Sequence, residues 1–265
     1  MTTLLLSPRY SDDSIAVWRA AVSAGWRTRR VRLAEVEGLA SELAADDLVI
    51  YGETLMADAV ARVAGIRLIE PSHDWLPRLP AAYRLREVSL HTLADARRRS
   101  GPVFVKPVDE KWFPARVYAT TVDVDPHLDA ELPVLVAEPV RFGLEVRAFV
   151  RERSVRTLSA YVRDGQLAKM ADGTWPITQV EEQAARALLE RLLADPAVEV
   201  PPAVVIDVGA IEGRGWAVVE ANPAWASGLC GAEPTAVLEV LRGCVVADAA
   251  SEAGRWLRPR ADASR

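Results

Sequence analysis

Two apolar runs separated by only five residues constrain this chain more than any other feature. AVVIDVGA (203–210) and WAVVEANP (216–223) both read as strands, and the intervening IEGRG carries Gly213 and Gly215, so the runs pair as an antiparallel hairpin. Side chains alternate faces along a strand, so Glu220 and Asn222 point together while Val219 and Ala221 point the other way, and Pro223 ends the run. Pairing brings Asp207 across from that polar face. Three oxygen-bearing side chains on adjacent strands, two of them carboxylates, suit one or two magnesium ions that also touch phosphate oxygens. The competing reading is a strand end that turns polar as it reaches solvent, since short motifs arise often by chance.

The first 70 residues alternate strand-like and helix-like patterns. TLLLSP reads as a strand; SIAVWRAAVSAG follows as a helix with Ile15, Trp18 and Val22 on one face and Gly25 at its stop. VRL, DLVIYG, the Met56, Val60, Val63 stripe ending at Gly65, and IRLIEP repeat the scheme. Such alternation predicts a small parallel sheet with right-handed crossovers, an α/β domain over residues 1–75. Ligands of such sheets meet loops at strand ends, here SPRYSDD and YGET. Neither loop holds a GxGxxG turn, which argues against a dinucleotide-binding dehydrogenase.

Pro71, Pro77 and Pro80 mark a hinge or boundary, after which the texture changes. TLADARRR reads as a helix and PVFVKP as a strand ending on Lys106. LVAEPV, LEVRAFV, VRTLSAYV and AVVIDVGA are apolar or alternating runs with the turn signal RDG among them, an α+β pattern over residues 76–250. One long helix is expected in TQVEEQAARALLERLLADP, opened by a Thr178/Glu181 capping box and carrying a Val180, Ala184, Leu188, Leu192 stripe. Residues 251–265 read as a tail, with RPRADASR frayed.

Composition narrows the function. A net charge of -5 and a pI near 5.4 argue against a general nucleic-acid binder, which needs surplus Lys and Arg to neutralise phosphates. Cys230 and Cys244 are too few for a disulfide framework and lack the paired spacing of a zinc site, which fits a reducing, cytoplasmic setting. TLLLSP lacks the basic flank of a signal peptide, and no apolar run reaches the length of a membrane helix.

In order and spacing, FVKP, AEPVRF, LEVRAFV, VIDVG and VVEANPAWASGL resemble the ATP-grasp superfamily, and more narrowly the clade named for one arginine and two lysines. The resemblance covers roughly residues 80–245, and the preceding strand-helix segment is similar to the small domain that commonly precedes an ATP-grasp fold. It implies that Lys106 and Lys111 contact ATP phosphates, where compact cations offset triphosphate charge. A solvated loop lysine remains the alternative for Lys111. Glu138, Pro139 and Val140 fall where the family's hinge meets adenine and ribose. Arg147 would face the phosphates or the reacting carboxylate. It also shares a strand face with Glu145, so an internal ion pair is the other reading. Asp207, Glu220 and Asn222 match the family's magnesium ligands, and Ser227 and Gly228 lie where an acceptor substrate is often held.

The chain departs from the wider family in one respect: VDEKWFPARVY, after Lys106, contains no glycine with which backbone amides could cradle phosphate. No histidine and no Ser-His or Cys-His constellation offers a nucleophile. The reading is an ATP- and Mg2+-dependent ligase that joins a small-molecule or peptide carboxylate to an amine (or thiol) through an acylphosphate, with Lys106 and Arg147 catalytic. Lys106→Ala and Arg147→Ala are each expected to lower turnover and spare the fold. A phosphotransferase acting on a hydroxyl and a nucleotide-binding module without turnover are the alternatives. Substrate choice is expected to lie with SPRYSDD, YGET and ASGLC.

Overall fold

A computed structural model describes residues 1–43, 47–108, 112–119, 124–247 and 254–260. The N-terminal segment builds the expected parallel sheet, in the order β2-β1-β3, from β1 (Thr2–Leu6), β2 (Arg27–Arg30) and β3 (Asp47–Tyr51). Leu4, Leu5 and Leu6 are all fully buried, as in a parallel strand covered on both faces. Strand β2 lies just before the predicted VRL. Its RTRR sequence forms a polar edge strand that hydrophobic patterning does not register, while Leu33 enters a 3-10 turn.

Helix α1 (Asp12–Ser23) opens with a capping box formed by Ser11 and Ser14. Its buried face is Ser14, Val17 and Ala21 rather than the expected Ile15, Trp18, Val22 row. Small side chains let the helix approach the sheet closely. Trp18 stays 41% exposed and donates to Thr28 Oγ1 at 3.0 Å. After the short α2 (Ala40–Leu43), α3 (Thr54–Ala64) buries Met56, Ala57 and Val60 and stops at left-handed Gly65, as its sequence predicts.

Strand β4 (Ile66–Leu68) does not extend the parallel sheet. It pairs antiparallel with β14 (Val245–Ala247), from the far end of the chain. The RPR segment is likewise held at its start: the Arg258 N–H reaches the Leu68 carbonyl, and its guanidinium pairs with Asp58 at 2.7 Å and Glu70 at 2.8 Å. Fraying therefore does not begin at Arg258.

Short helices α4 (Trp75–Arg78) and α5 (Ala81–Arg84) lead into a four-stranded antiparallel sheet, order β5-β8-β6-β7. Its strands are β5 (Val88–Thr92), β6 (Val103–Pro107), β7 (Arg116–Tyr118) and β8 (Pro133–Ala137); α6 (Leu93–Arg97) packs on it through Leu93 and Ala96. A second, five-stranded antiparallel sheet runs β11-β10-β9-β12-β13. It comprises β9 (Phe142–Arg151), β10 (Ser154–Arg163), β11 (Gln166–Leu167), β12 (Ala203–Ile211) and β13 (Gly215–Asn222). The RDG signal forms the β10–β11 turn, with Asp164 and Gly165 at positive φ.

Helices cover both faces of this larger sheet. On one side α7 (Gln179–Ala194) packs Ala185, Leu188, Leu189, Leu192 and Leu193 against Val146, Ala148, Val204, Ile206 and Val208. Its capping box is present as expected, but Val180 lies in the first turn and is 75% exposed, so the stripe is Leu188 and Leu192 with their neighbours. On the other side α8 (Pro234–Leu241) shares a core with Phe149, Ala203, Val205 and the parallel sheet. Among the described residues, no helix is long and apolar enough to cross a membrane.

Candidate active site

Strict alternation along β9 and β12 sorts their side chains. Even-numbered Val146, Ala148, Val204, Ile206 and Val208 enter the α7 core, while Phe149, Ala203 and Val205 join the α8 core. Arg147 and Asp207 share the α8 face and stand directly opposite each other in the β9–β12 register. On its other side Asp207 opposes Glu220, as the hairpin predicts. A bulge between Asp207 and Val208 departs from the simple pattern. It leaves Val219 beside Gly209 on the site face, instead of opposite Glu220, while Val218 and Ala221 pack into the α7 core. Gly209 has no room for a side chain, since a Cβ there would lie 2.7 Å from the Phe142 ring and 2.8 Å from the Leu144 carbonyl.

Arg147 and Asp207 form a bidentate pair, Nε to Oδ1 at 2.9 Å and Nη2 to Oδ2 at 2.7 Å, both side chains buried. The Arg147–Glu145 pair weighed as the alternative is not formed among the described residues; the guanidinium edge meets the cross-strand Asp207 carboxylate instead. Arg147 also donates through Nη1 to the Gly228 carbonyl at 3.2 Å and lies over the Tyr161 ring at 4.1 Å. Burial works against the guanidinium charge, but Asp207 outweighs it and the Arg147 pKa is raised.

From Asp207 the polar contacts continue along the hairpin. Asn222 Nδ2 donates to Glu220 Oε1 at 2.8 Å and to Asp207 Oδ2 at 3.4 Å. Lys106, at the end of β6 in the other sheet, pairs with Glu220 Oε2 and so joins the two sheets. Burial opposes the Glu220 charge; Lys106 and the Asn222 amide outweigh burial and hold its pKa at about 2. Glu145 forms no ion pair among the described residues, and burial, reinforced by Asp207 and Glu220, outweighs the pull of Arg147 and Arg86 and pushes it up to about 7. Thus β6, β9, β12 and β13 bring Lys106, Arg147, Asp207, Glu220 and Asn222 into one continuous ladder. Among the described residues no three His, Cys, Asp or Glu side chains gather as a metal cage. The available set is two carboxylates and one carboxamide, hard oxygen donors that fit magnesium when phosphate oxygens complete the shell.

Glu138, Pro139 and Val140 form the link from β8 of one sheet to β9 of the other. Glu138 is tied across this link: Oε1 accepts from Arg214 at 2.6 Å, and its N–H donates to the Glu87 carbonyl at 2.9 Å. Arg214 lowers the Glu138 pKa. Lys111 lies outside the described residues. Trp225 is a fully buried core residue that donates to the Ile69 carbonyl at 3.0 Å, whereas Trp112 is exposed.

Arg86 escaped the sequence reading, which assigned it no role. It donates to the carbonyls of Val218 at 2.7 Å and Val219 at 2.9 Å, clamping the bulge that carries Glu220. Burial and Arg84 lower its pKa to about 10, against the pull of Glu145, Glu220 and Glu138. The strand-end loops SPRYSDD and YGET do meet the ASGL loop, lining one cleft of about 390 Å³. Asp13 closes its inner wall, accepting from the Leu229 N–H at 3.0 Å. Lys169 braces the loop after β11 to Asp12 at 2.8 Å.

The fold is shared with known proteins. D-alanine–D-alanine ligase from Bacillus anthracis superposes with a TM-score of 0.55 at 9% identity, covering 91% of this chain and 96% of that one. The ATP-grasp ligase PsnB in complex with a minimal precursor gives 0.51 at 14% identity, covering 83% and 90%. D-cycloserine synthetase DcsG gives 0.50 at 14% identity, covering 91% and 99%. At these identities the likeness is one of fold. No functionally curated protein matches the sequence. Residues 83–240, which carry every strand of the ladder, match the model of the ATP-grasp domain of the clade named for one arginine and two lysines, in its second family, and the chain belongs to that family.

Proposed function

We propose that this protein is an ATP-dependent ligase that joins a carboxylate to an amine through an acylphosphate, releasing ADP and phosphate. The observation that carries this reading is the ladder itself. Two cations, two carboxylates and a carboxamide converge where the two sheets of an ATP-grasp fold meet.

Each side chain has a task in that chemistry. The Lys106 ammonium, at the end of β6, would turn from Glu220 toward phosphate oxygens and offset charge on the transferring group. The Arg147 guanidinium, fixed by Asp207 and stacked on Tyr161, would orient the substrate carboxylate or the acylphosphate. Asp207, Glu220 and Asn222 would hold magnesium, which supplies charge neutralisation on the outer phosphates. Arg86 fixes the bulge that aims Glu220. Glu138 to Val140 would present backbone groups to adenine, with the Glu138 carboxylate near ribose. No protein nucleophile takes part: burial pushes Cys230 up to about 11 and Cys244 up to about 12, so both stay thiols at neutral pH.

Product analysis with pooled acids and amines tests the reading. ADP formation is expected only when both an acid and an amine are present, and it should fall by about tenfold or more in Glu220→Gln and Asp207→Asn. AMP and pyrophosphate as products would overturn the acylphosphate route. Transfer to a hydroxyl with no need for an acid would establish a phosphotransferase instead, and ATP binding without turnover a binding module.

A further inference from the structure

On the ligase reading, the substrate needs a binding site of its own besides that of the nucleotide. The cleft lined by Ser7, Arg9, Asp13, Tyr51, Glu53 and Gly228 has most of its inner polar groups committed internally. Ser7 Oγ accepts from the Glu53 N–H at 2.7 Å, and Ser11 and Ser14 cap α1. Besides the exposed Arg9 and Glu53 side chains and the half-buried Thr54 hydroxyl, two groups deeper in the wall are not committed among the described residues. Tyr51 is only 7% exposed, yet its hydroxyl makes no hydrogen bond among the described residues. Buried tyrosine hydroxyls ordinarily find a partner. No fully buried side-chain nitrogen or oxygen among the described residues lacks a partner, so this hydroxyl reaches the cleft. Asp13 spends Oδ2 on the Leu229 N–H, while Oδ1 accepts from nothing among the described residues.

A carboxylate oxygen in need of a donor, beside a phenol that can accept, matches a group with several N–H donors and a positive charge. We propose that Asp13 and Tyr51 form a subsite for a primary ammonium group of the substrate. Its position suits the reaction. Gly228 lies between the subsite and Arg147: its carbonyl accepts from Nη1 at 3.2 Å, and a Cβ there would lie 3.1 Å from Asp13 Oδ2 and 3.9 Å from Nη1. An ammonium on Asp13 is thus one residue's width from the guanidinium assigned to the reacting carboxylate. The absence of a side chain at Gly228 keeps the passage open.

Two sources offer this chemistry, the nucleophilic amine and an α-ammonium on the acid itself. Saturation-transfer NMR on the full chain, with a non-hydrolysable ATP analogue and magnesium, distinguishes them using glycinamide, N-acetylglycine and glycine. Glycinamide is expected to bind, with its Kd rising about tenfold in Asp13→Asn and about threefold in Tyr51→Phe. N-acetylglycine is expected not to displace it. Both variants preserve the fold by design: asparagine keeps an oxygen for the Leu229 N–H, and the lost hydroxyl has no partner to leave unpaired. Tighter glycinamide binding in the presence of N-acetylglycine supports the subsite and assigns it to the nucleophile. Tighter binding of glycine than of glycinamide supports it and assigns it to the acid. Equal glycinamide affinity in wild type and Asp13→Asn, or no saturable glycinamide binding, overturns the subsite. The same samples report binding of the ATP analogue. Failure of the subsite with nucleotide bound leaves the ligase reading standing, whereas failure of wild type to bind nucleotide overturns that reading.

Discussion

Arg147 and Asp207 face each other across neighbouring strands and are joined by two hydrogen bonds in a setting that excludes water almost entirely. This pairing changes what a substitution at Arg147 should do. Removing the cation strands a buried carboxylate, so Arg147→Ala is expected to cost about 3–5 kcal/mol of stability besides abolishing turnover. The strand pattern alone led to the opposite expectation, that the fold would be spared, because it did not reveal the buried partner. Asp207→Asn in the Arg147→Ala background should recover part of the loss, since it removes the stranded charge. Chemical denaturation of the single and double variants checks this, and additive effects would refute the coupling.

Lys106 makes the contrasting case. Its ion pair with Glu220 is partly open to water, and Asn222 still donates to Glu220 if the lysine is lost. Lys106→Ala is therefore expected to change stability by less than about 1 kcal/mol. Its effect should appear in nucleotide affinity, as a loss of about tenfold or more for a charge-assisted phosphate contact. Calorimetric titration with an ATP analogue, beside thermal unfolding, separates the two.

The hairpin holding Asp207 and Glu220 was legible because its turn is short and its strands are strongly apolar, so local sequence determines the pairing. The α7 capping box and the Gly65 stop were legible for the same reason. What escaped depends on partners distant in sequence. Nothing near IRLIEP announces that β4 will pair with β14, and nothing near Arg147 says that a residue 60 positions away will take it from Glu145. Periodicity located α1 but not its buried face, because close packing favoured Ser14, Val17 and Ala21 over the larger Trp18. Bulges are invisible to strict alternation, and so Val219 was assigned to the wrong face. Arg86 works through backbone carbonyls of β13, a contact that no side-chain motif encodes.

Helix α7 provides a pH-dependent test. Glu181 accepts from Arg163 at 2.6 Å and from the Thr178 N–H at 2.8 Å, and these bonds, led by Arg163, hold its pKa at about 2. An unfolded glutamate titrates near 4.3, so the folded state prefers the ionised form. The resulting stability is fully present above roughly pH 4.3 and is lost as the pH falls through the folded value. Glu181→Gln should destabilise the protein at pH 7 by about 1 kcal/mol, a modest figure because Arg163 is partly solvated. The gap between variant and wild type should close as the pH is lowered toward 2. A gap that is independent of pH would show that the cap acts through shape rather than charge.

Metal and nucleotide should depend on each other. In the ladder each proposed metal carboxylate already faces a cation, Asp207 with Arg147 and Glu220 with Lys106. A metal arriving alone meets oxygens whose charge is compensated, whereas ATP phosphates give Lys106 another anion to bind and release Glu220. Linkage requires the effect to be reciprocal. Mn2+ titration followed by electron paramagnetic resonance is expected to show affinity at least about tenfold tighter when a non-hydrolysable ATP analogue is bound, and the analogue should gain the same factor from the metal. Lys106→Ala should raise metal affinity in the absence of nucleotide, because Glu220 then lacks its cation, while weakening the analogue. Glu220→Gln should remove most of the coupling. Tight Mn2+ binding without nucleotide, unchanged in Lys106→Ala, would show that the two cations do not guard the metal ligands.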